Sequence, residues 1–117
     1  MTEQKEAEVK LVEQKCVPCQ AGEPPLSAAE AEAPAREAPR WALEDKAIER
    51  KFQFKDFAEA MGFVNKVAAI AEEQGHHPDI HISWNRVRLT LSTHKIGGLS
   101  RNDFILAAKI DALVDRA

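Results

Sequence analysis

The sequence is poor in cysteine and has no long apolar run. Its 117 residues include two cysteines, whereas a small secreted scaffold held by disulfides would need more. No apolar segment approaches the roughly 20 residues that a membrane-spanning helix requires. The N-terminal stretch MTEQKEAEVKLVEQ is charged and has no apolar core, so it does not resemble a signal peptide. We therefore expect a cytoplasmic protein without membrane association.

An excess of positive charge is also missing. The net charge is −3, whereas proteins that bind nucleic acids or anionic membranes normally carry a basic patch. We therefore expect no direct binding of nucleic acid. Hydrophobic residues make up 44% and charged residues 30% of the chain, a balance typical of globular domains. The length suits one hydrophobic core rather than two.

The two cysteines, Cys16 and Cys19, form a CxxC motif in KCVPCQ. No second cysteine pair exists, which excludes a four-cysteine zinc site within one chain. Three interpretations remain: a metal site completed by His81 or another subunit, a redox dithiol, or an exposed segment without a catalytic role. A redox motif would normally follow a strand of a βαβ unit, and this one does not. Residues 1–24 are polar and end at GEPP, so they predict a flexible extension before a domain at 25–117.

The first half of that domain predicts a weak helix and a strand. Ser27 and Glu30 have the spacing of a capping box, but Pro34 should end or kink the helix. Apolar residues then alternate with polar ones over 48–54, as in a half-buried antiparallel strand. Residues 41–44 are expected to pair with it as a short strand.

The second half predicts two helices around a strand pair. One helix should begin at the N-cap Asp56 and stop at Gly75, with Phe57, Met61, Val64, Ala68 and Ala71 as its apolar stripe. Strands over 80–84 and 87–91 should form a hairpin that turns at 85–86. The last helix should begin at Ser100, with Asp103 as a capping carboxylate. Leu106, Ile110, Leu113 and Val114 form its predicted apolar stripe.

This order predicts an α+β fold: a single domain whose antiparallel β-sheet of about four strands has helices packed on one face. Trp84 is expected in the core or on the sheet. The strand VRLTLST is regular and free of proline, so we expect it to offer an open edge for a dimer.

Three of the four histidines lie in AEEQGHHPDIHISW, just past the first long helix. If the two following strands pair, His94 returns close to His77 and Pro78, which predicts a cluster of the three histidines His76, His77 and His94. Imidazoles can donate or accept protons near neutral pH. Adjacent residues such as His76 and His77 point in different directions and rarely bind one metal ion, and no HExxH spacing is present. A proton-transfer or ligand-binding cluster, a metal site and unrelated surface histidines all remain open on spacing alone.

The pattern Glu72-x3-His76-His77-Pro78-x5-Trp84-x9-His94-x8-Asp103 resembles the signature of the pterin-4a-carbinolamine dehydratases. The flanking segments WALEDKAIERKFQFKDFAEAMGFVNKVAAIAEE and VRLTLSTHKIGGLSRNDFILAAKID are also similar to that family, so the resemblance covers about residues 41–113. The segment CVPCQAGEPPLS looks like an extension found in some bacterial members. The combined pattern is far more specific than the His-His-Pro element alone.

The resemblance implies dehydration of 4a-hydroxytetrahydropterin to quinonoid dihydropterin during tetrahydrobiopterin recycling. It implies a hydro-lyase that needs no metal or organic cofactor. It also implies a homodimer joined through sheet edges, or a tetramer. The first helix of this chain is rich in alanine and contains Pro34, where relatives usually carry leucines, so the dimer is the expectation here.

By resemblance, His76 and His94 perform the acid and base steps at C4a and N5, and His77 orients the substrate or moves a proton. The backbone around Ser92, Thr93, His94 and Lys95 would bind the pyrimidine edge of the pterin. Two carboxylates remain ambiguous: Glu72 would bind the 2-amino group or be merely solvated, and Asp103 would serve the site or only cap its helix. His81 has no counterpart in the signature and is expected on the surface.

Two other functions are compatible with the resemblance. The same fold serves in non-catalytic modules that bind a dimeric transcription factor or assist assembly of a carbon-fixing enzyme. A dehydratase-like enzyme of another pterin pathway, such as molybdopterin metabolism, is the third possibility. Binding-only relatives tend to lose the histidines, and this chain has all three.

Overall fold

Four antiparallel strands form one sheet in a computed structural model that describes residues 10–114. The strands are β1 (Ala42–Leu43), β2 (Ile48–Gln53), β3 (Asp79–Ser83) and β4 (Arg86–Leu91). Their order across the sheet is β1-β2-β4-β3. The strand VRLTLST is therefore interior, and the expectation that it forms an edge is wrong. Because β4 pairs with β2 on one side and β3 on the other, the open edges are β1 and β3.

One face of the sheet forms the core and the other faces solvent. The core side chains Ile48, Phe52, Val87, Leu89 and Leu91 are buried. The intervening residues Lys51, Arg86 and Arg88 are exposed. This alternation is the pattern of a sheet covered on one face, and it confirms the predicted α+β architecture. Three helices complete it: α1 (Ala28–Ala35), α2 (Phe57–Gln74) and α3 (Arg101–Val114).

Helix α1 is short, as its sequence predicts. Ser27 Oγ accepts the Glu30 N–H at 3.1 Å, and the Glu30 carboxylate accepts the Ser27 N–H at 2.8 Å. Pro34 lies inside the helix, which ends one residue later. The capping box fixes its start, and proline, which lacks the amide proton and crowds the preceding turn, accounts for its early end.

Helix α2 confirms its predicted ends but not its whole apolar stripe. The Asp56 carboxylate accepts the Glu59 N–H at 2.8 Å, and Gly75 ends the helix with φ 68°. The buried positions are Ala60, Phe63, Val64, Val67 and Ala71, whereas Phe57 is 51% exposed and Ala68 is exposed. Phe63 sets this orientation because its ring packs 4.7 Å from that of Phe52 on the sheet.

The β3–β4 hairpin turns one residue earlier than expected. Ser83 and Arg86 are the last paired residues, which leaves Trp84 and Asn85 as the loop. Trp84 has φ 55° and is 68% exposed, so the prediction that it lies in the core or on the sheet is wrong. It lies beyond the last strand pair, past the end of the sheet. Asn85 is buried instead, and its side-chain amide donates to the Phe54 carbonyl at 2.8 Å.

The segment before α1 packs on the domain in the part that the structure describes. Leu11 is fully buried in a 3-10 helix, Leu11–Glu13, that contacts α3. Lys109 Nζ donates to the Val12 carbonyl at 2.8 Å. Residues 10–19 are therefore not a free tail, because burial of Leu11 and these hydrogen bonds hold them to α3. Residues 1–9 lie outside the described range, and a domain boundary at residue 24 stays a prediction.

Within residues 10–114, no helix combines the length and hydropathy needed to cross a membrane.

Candidate active site

The end of α2 places His76 against the domain. The Gly75 N–H donates to the Glu72 carbonyl at 3.3 Å, and the His76 N–H donates to the Ala71 carbonyl at 3.2 Å. These two bonds constitute a Schellman motif, which requires a left-handed residue that glycine supplies without a steric penalty. The chain reverses after Gly75, so the His76 side chain is directed at α3, and only 12% of that side chain is exposed.

His76 pairs with a fully buried carboxylate. Its Nε2 atom lies 2.6 Å from Oδ1 of Asp103, whose side chain is 0% exposed. Asp103 is in the first turn of α3, where a carboxylate also interacts favourably with the helix dipole. A buried carboxylate is costly in free energy without a partner, and the His76 imidazole supplies one.

The second oxygen of Asp103 is also satisfied. Oδ2 accepts the Ser100 N–H at 2.9 Å and the Thr93 hydroxyl at 2.9 Å. Thr93 Oγ1 lies 2.8 Å from Ser100 Oγ, which accepts the Asn102 N–H at 3.2 Å. The predicted cap between Asp103 and Ser100 is therefore confirmed, and the same carboxylate binds His76 and Thr93 as well.

A run of hydrogen bonds leads from the Asn102 backbone to the Asp103 carboxylate. The Asn102 N–H donates to Ser100 Oγ and the Thr93 hydroxyl donates to Asp103 Oδ2, so the Ser100 hydroxyl is the donor to Thr93. The contact with Oδ1 fits the tautomer that carries a proton on Nε2, because a carboxylate oxygen accepts hydrogen bonds. No described residue hydrogen-bonds to Nδ1 of His76, which leaves that nitrogen available to a ligand.

His94 follows Thr93 directly and begins a tight turn. The Thr93 N–H donates to the Gly98 carbonyl at 2.8 Å, which closes the loop around a 3-10 helix, His94–Ile96. His94 and Lys95 are exposed. Their N–H groups are the first of a helical turn and have no acceptor within it. The imidazole of His94 has no hydrogen-bond partner among the described residues, so both its ring and the adjacent backbone can bind a ligand.

His77 and Glu72 form a second, exposed pair. His77 Nε2 lies 2.6 Å from the Glu72 carboxylate, and the two side chains are 61% and 79% exposed. Such a pair contributes little to stability because water screens it. His77 directly follows His76 in the chain, and both side chains of its pair with Glu72 are open to solvent.

The strand pairing brings the chain segments that carry His76 and Thr93 to the same end of the sheet. Asp79 pairs with Thr90, so the chain before β3 and the chain after β4 leave the sheet at the same end. Asp103 then joins His76 to Thr93 directly. No hydrogen bond joins two imidazoles among residues 10–114, and the three-histidine cluster and all predicted catalytic and substrate-binding roles, including that of Ser92, stay predictions. His81 is exposed on β3, as expected. The described part of the chain places no three histidine, cysteine or acidic side chains where they could share one metal ion.

The CxxC motif is half-buried rather than exposed. The Cys16 thiol donates to the Asn102 carbonyl at 3.6 Å, and the Asn102 side-chain amide donates to Cys19 Sγ at 3.6 Å. Burial raises the pKa of the Cys16 thiol from 9.0 to about 11, and Asp103 and Cys19 add to the rise while Lys109 opposes it. The sequence does not indicate that Asn102 binds the CxxC motif, because a polar residue is common in the first turn of a helix.

Comparison with known proteins agrees with this arrangement. The family model of pterin 4 alpha carbinolamine dehydratase matches residues 24–113. This chain belongs to the pterin-4a-carbinolamine dehydratase family. A relative from Rubrobacter xylanophilus is 50% identical over 104 residues, which cover 88% of this chain and 97% of the relative. One from Methylococcus capsulatus is 50% identical over 109 residues, covering 92% and 96%. Both are provisionally named pterin-4-alpha-carbinolamine dehydratase.

Two solved structures show that the pterin-4a-carbinolamine dehydratase fold occurs in proteins described by different functions. A transcriptional coactivator/pterin dehydratase from Brucella melitensis has a TM-score of 0.72 and 37% identity, covering 76% of this chain and 97% of that one. A pterin dehydratase-like protein described as a RuBisCO assembly factor in the alpha-carboxysome has a TM-score of 0.55 and 26% identity, covering 67% and 90%.

Proposed function

We propose that this protein is a 4a-hydroxytetrahydrobiopterin dehydratase, which removes water from 4a-hydroxytetrahydropterin to give quinonoid dihydropterin. The observation that carries the proposal is the His76–Asp103 pair at 2.6 Å, which Thr93 links to the His94 turn. A fixed imidazole that is linked through Asp103 and Thr93 to the turn carrying an accessible one is suited to a reaction that both donates and accepts a proton.

The reaction requires cleavage of the C4a–O bond and loss of the N5 proton. Hydroxide is a poor leaving group, so a general acid assists its departure as water, and a general base removes the N5 proton. Each such group typically contributes about 10²–10⁴-fold to the rate. We assign these steps to His76 and His94 together, without dividing them between the two. His77 and Glu72, as an exposed pair, would orient the substrate, with Glu72 at its 2-amino group.

The pyrimidine edge of a pterin presents several donors and acceptors in one plane. The N–H groups at the start of the His94–Ile96 turn and the nearby backbone of Ser92 and Thr93 offer matching groups. The exposed Lys95 lies in the same turn. This placement supports a pterin bound between the Thr93–His94 turn and the His76–His77 segment.

A stopped-flow assay of 4a-hydroxytetrahydropterin loss tests the proposal. Wild-type protein should accelerate the reaction, and His76→Ala and His94→Ala should each lose most of the acceleration. His81→Ala is the matched control, because His81 is exposed on β3 and outside the site. No acceleration by folded wild-type protein, or an equal loss in the control, would contradict the proposal.

A non-catalytic binding or assembly role is the second candidate. It is supported by the 26% identity to a protein described as a RuBisCO assembly factor. That role would leave dehydration at the uncatalysed rate and would tolerate His76→Ala. A dehydratase acting in molybdopterin metabolism would instead accelerate the assay with a different preferred pterin, so a panel of pterins separates the three functions.

A further inference from the structure

The segment Cys16-Val17-Pro18-Cys19, which we call the CVPC segment, contacts both elements that carry the His76–Asp103 pair. The proposed chemistry does not require this segment, yet its half-buried cysteines and backbone are extensively hydrogen-bonded.

On α3, the CVPC segment is held by one residue. The Asn102 side chain accepts the Val17 N–H at 2.9 Å and donates to the Val17 carbonyl, so its amide pairs with that backbone as a neighbouring strand would. Its side-chain amide also reaches Cys19, and its carbonyl accepts the Cys16 thiol. Asn102 is 5% exposed and immediately precedes Asp103.

On α2, the same segment is held by Gln74. The Cys16 N–H donates to Gln74 Oε1 at 2.9 Å. Gln74 is the last residue of α2, two positions before His76. The CVPC segment therefore links the residue before Asp103 to the end of the helix that leads into His76, by a route separate from the His76–Asp103 bond.

We infer that the CVPC segment is a clamp that positions the His76–Asp103 pair, with Gln74 and Asn102 as its positioning residues. A 2.6 Å bond between two elements depends on their relative placement. A misplacement of about 1 Å can cost about 10²-fold in rate. The expected effect of the clamp on the catalytic rate rests on the proposed function, whereas its effect on the geometry of the His76–Asp103 pair does not.

The protonated state of the Cys16 thiol agrees with this clamp. Only a protonated thiol can donate to the Asn102 carbonyl. Burial raises the Cys16 pKa to about 11, so the thiol remains a donor at neutral pH. A thiolate would lose this contact and would face the Asn102 carbonyl oxygen.

The test compares Asn102→Ala with Asn65→Ala in full-length protein. Alanine favours helix at both positions, but Asn65 is exposed on α2 and makes no clamp contact. Three readouts are measured: trypsin cleavage after Lys15, the downfield proton resonance of His76 Nε2–H, and kcat and KM. In Asn102→Ala, we expect cleavage to be faster, the resonance to weaken through exchange with water, and kcat to fall about tenfold with KM changed less than twofold. Asn65→Ala should match wild type.

Gln74→Ala supplies a second variant that removes only the α2 contact. Because Gln74 and Asn102 act through one segment, their effects should be less than additive in the double variant. The inference would be overturned if either variant sped up cleavage after Lys15 but left the His76 resonance unchanged. It would also be overturned if the effects of the two substitutions were fully additive. If wild-type protein fails to dehydrate the pterin, the proposed function falls, while cleavage and the resonance still decide the clamp.

Discussion

Nε2 of His76 lies 2.6 Å from Oδ1 of Asp103, although 27 positions separate the two residues in the chain. The Schellman turn at Gly75 positions the imidazole, and the first turn of α3 positions the carboxylate. Thr93 and Ser100 satisfy the remaining carboxylate oxygen. Asp103 therefore caps α3 and pairs with His76, and its role in a substrate site stays a prediction.

Asp103→Asn should impair catalysis more than folding. An asparagine amide cannot accept the Nε2 proton of His76 while its oxygen still accepts from Thr93 and Ser100, so the imidazole loses its orientation and tautomer. We expect kcat to fall about 10²-fold, within the range for disrupted acid–base catalysis. Stopped-flow kinetics measure this, with Asp79→Asn on the exposed start of β3 as control. A kcat within twofold of wild type would show that Asp103 does not orient a catalytic imidazole.

Thr93→Val should destabilise the protein by about 1–3 kcal/mol, because it removes the acceptor of the buried Ser100 hydroxyl proton and one of the two donors to Asp103 Oδ2. Urea unfolding measures the change. Thr90→Val is the matched control, since Thr90 alternates with the buried Leu89 and Leu91 and faces away from the core. Equal stability of the two variants would argue against a tight hydroxyl network at Thr93.

Gly98→Ala should perturb the loop that carries His94. A β-carbon at Gly98 would lie 2.8 Å from Cβ of Pro25, so the loop and the Pro25 segment must separate. We expect a loss of about 1–3 kcal/mol, typical of overpacking, together with reduced activity. Gly62→Ala is the control: nothing lies within 4 Å of its β-carbon, and alanine should stabilise α2 by up to about 1 kcal/mol. Thermal unfolding of both variants should therefore show shifts of opposite sign.

The raised pKa of Cys16 predicts a stability loss at high pH. The folded pKa of about 11 exceeds the ordinary 9.0 because burial disfavours the thiolate. The protonated thiol therefore contributes fully below pH 9, and the contribution disappears as the pH rises through 11. Cys16→Ser does not ionise in this range, so it should lose less stability between pH 9 and 11 than wild type. Urea midpoints across that range measure the difference, and parallel curves would contradict it.

The open edge at β3 predicts the dimer contact. Strand β3 has five residues and β1 has two, so β3 offers the longer row of unpaired backbone groups. Wild-type protein should be a dimer by light scattering. Ile80→Lys, which places a charge on β3 at a residue 38% exposed, should shift it toward monomer. Leu43→Lys on β1 is the matched control. If only Leu43→Lys produced a monomer, the dimer contact would lie at the β1 edge instead.

The amino-acid sequence by itself determined where most elements begin and end. Ser27 with Glu30, Asp56 with Glu59 and the glycine at 75 act through hydrogen bonds and backbone angles within a few residues, so their effects can be predicted locally. The capping role of Asp103 belongs to the same class. The histidine pattern also indicated the family, which the similarity to known proteins confirmed.

Only the tertiary structure decided which distant segments meet. The strand order makes β4 interior, the two-residue loop puts Trp84 in solvent, and Phe63 sets the buried side of α2. The pairing of Asp103 with His76 and the docking of the CVPC segment on Asn102 likewise join residues far apart in sequence. Such contacts depend on how the helices pack over the sheet. Hydrophobic burial is not directional, so the spacing of apolar residues within one element does not specify which distant residues meet.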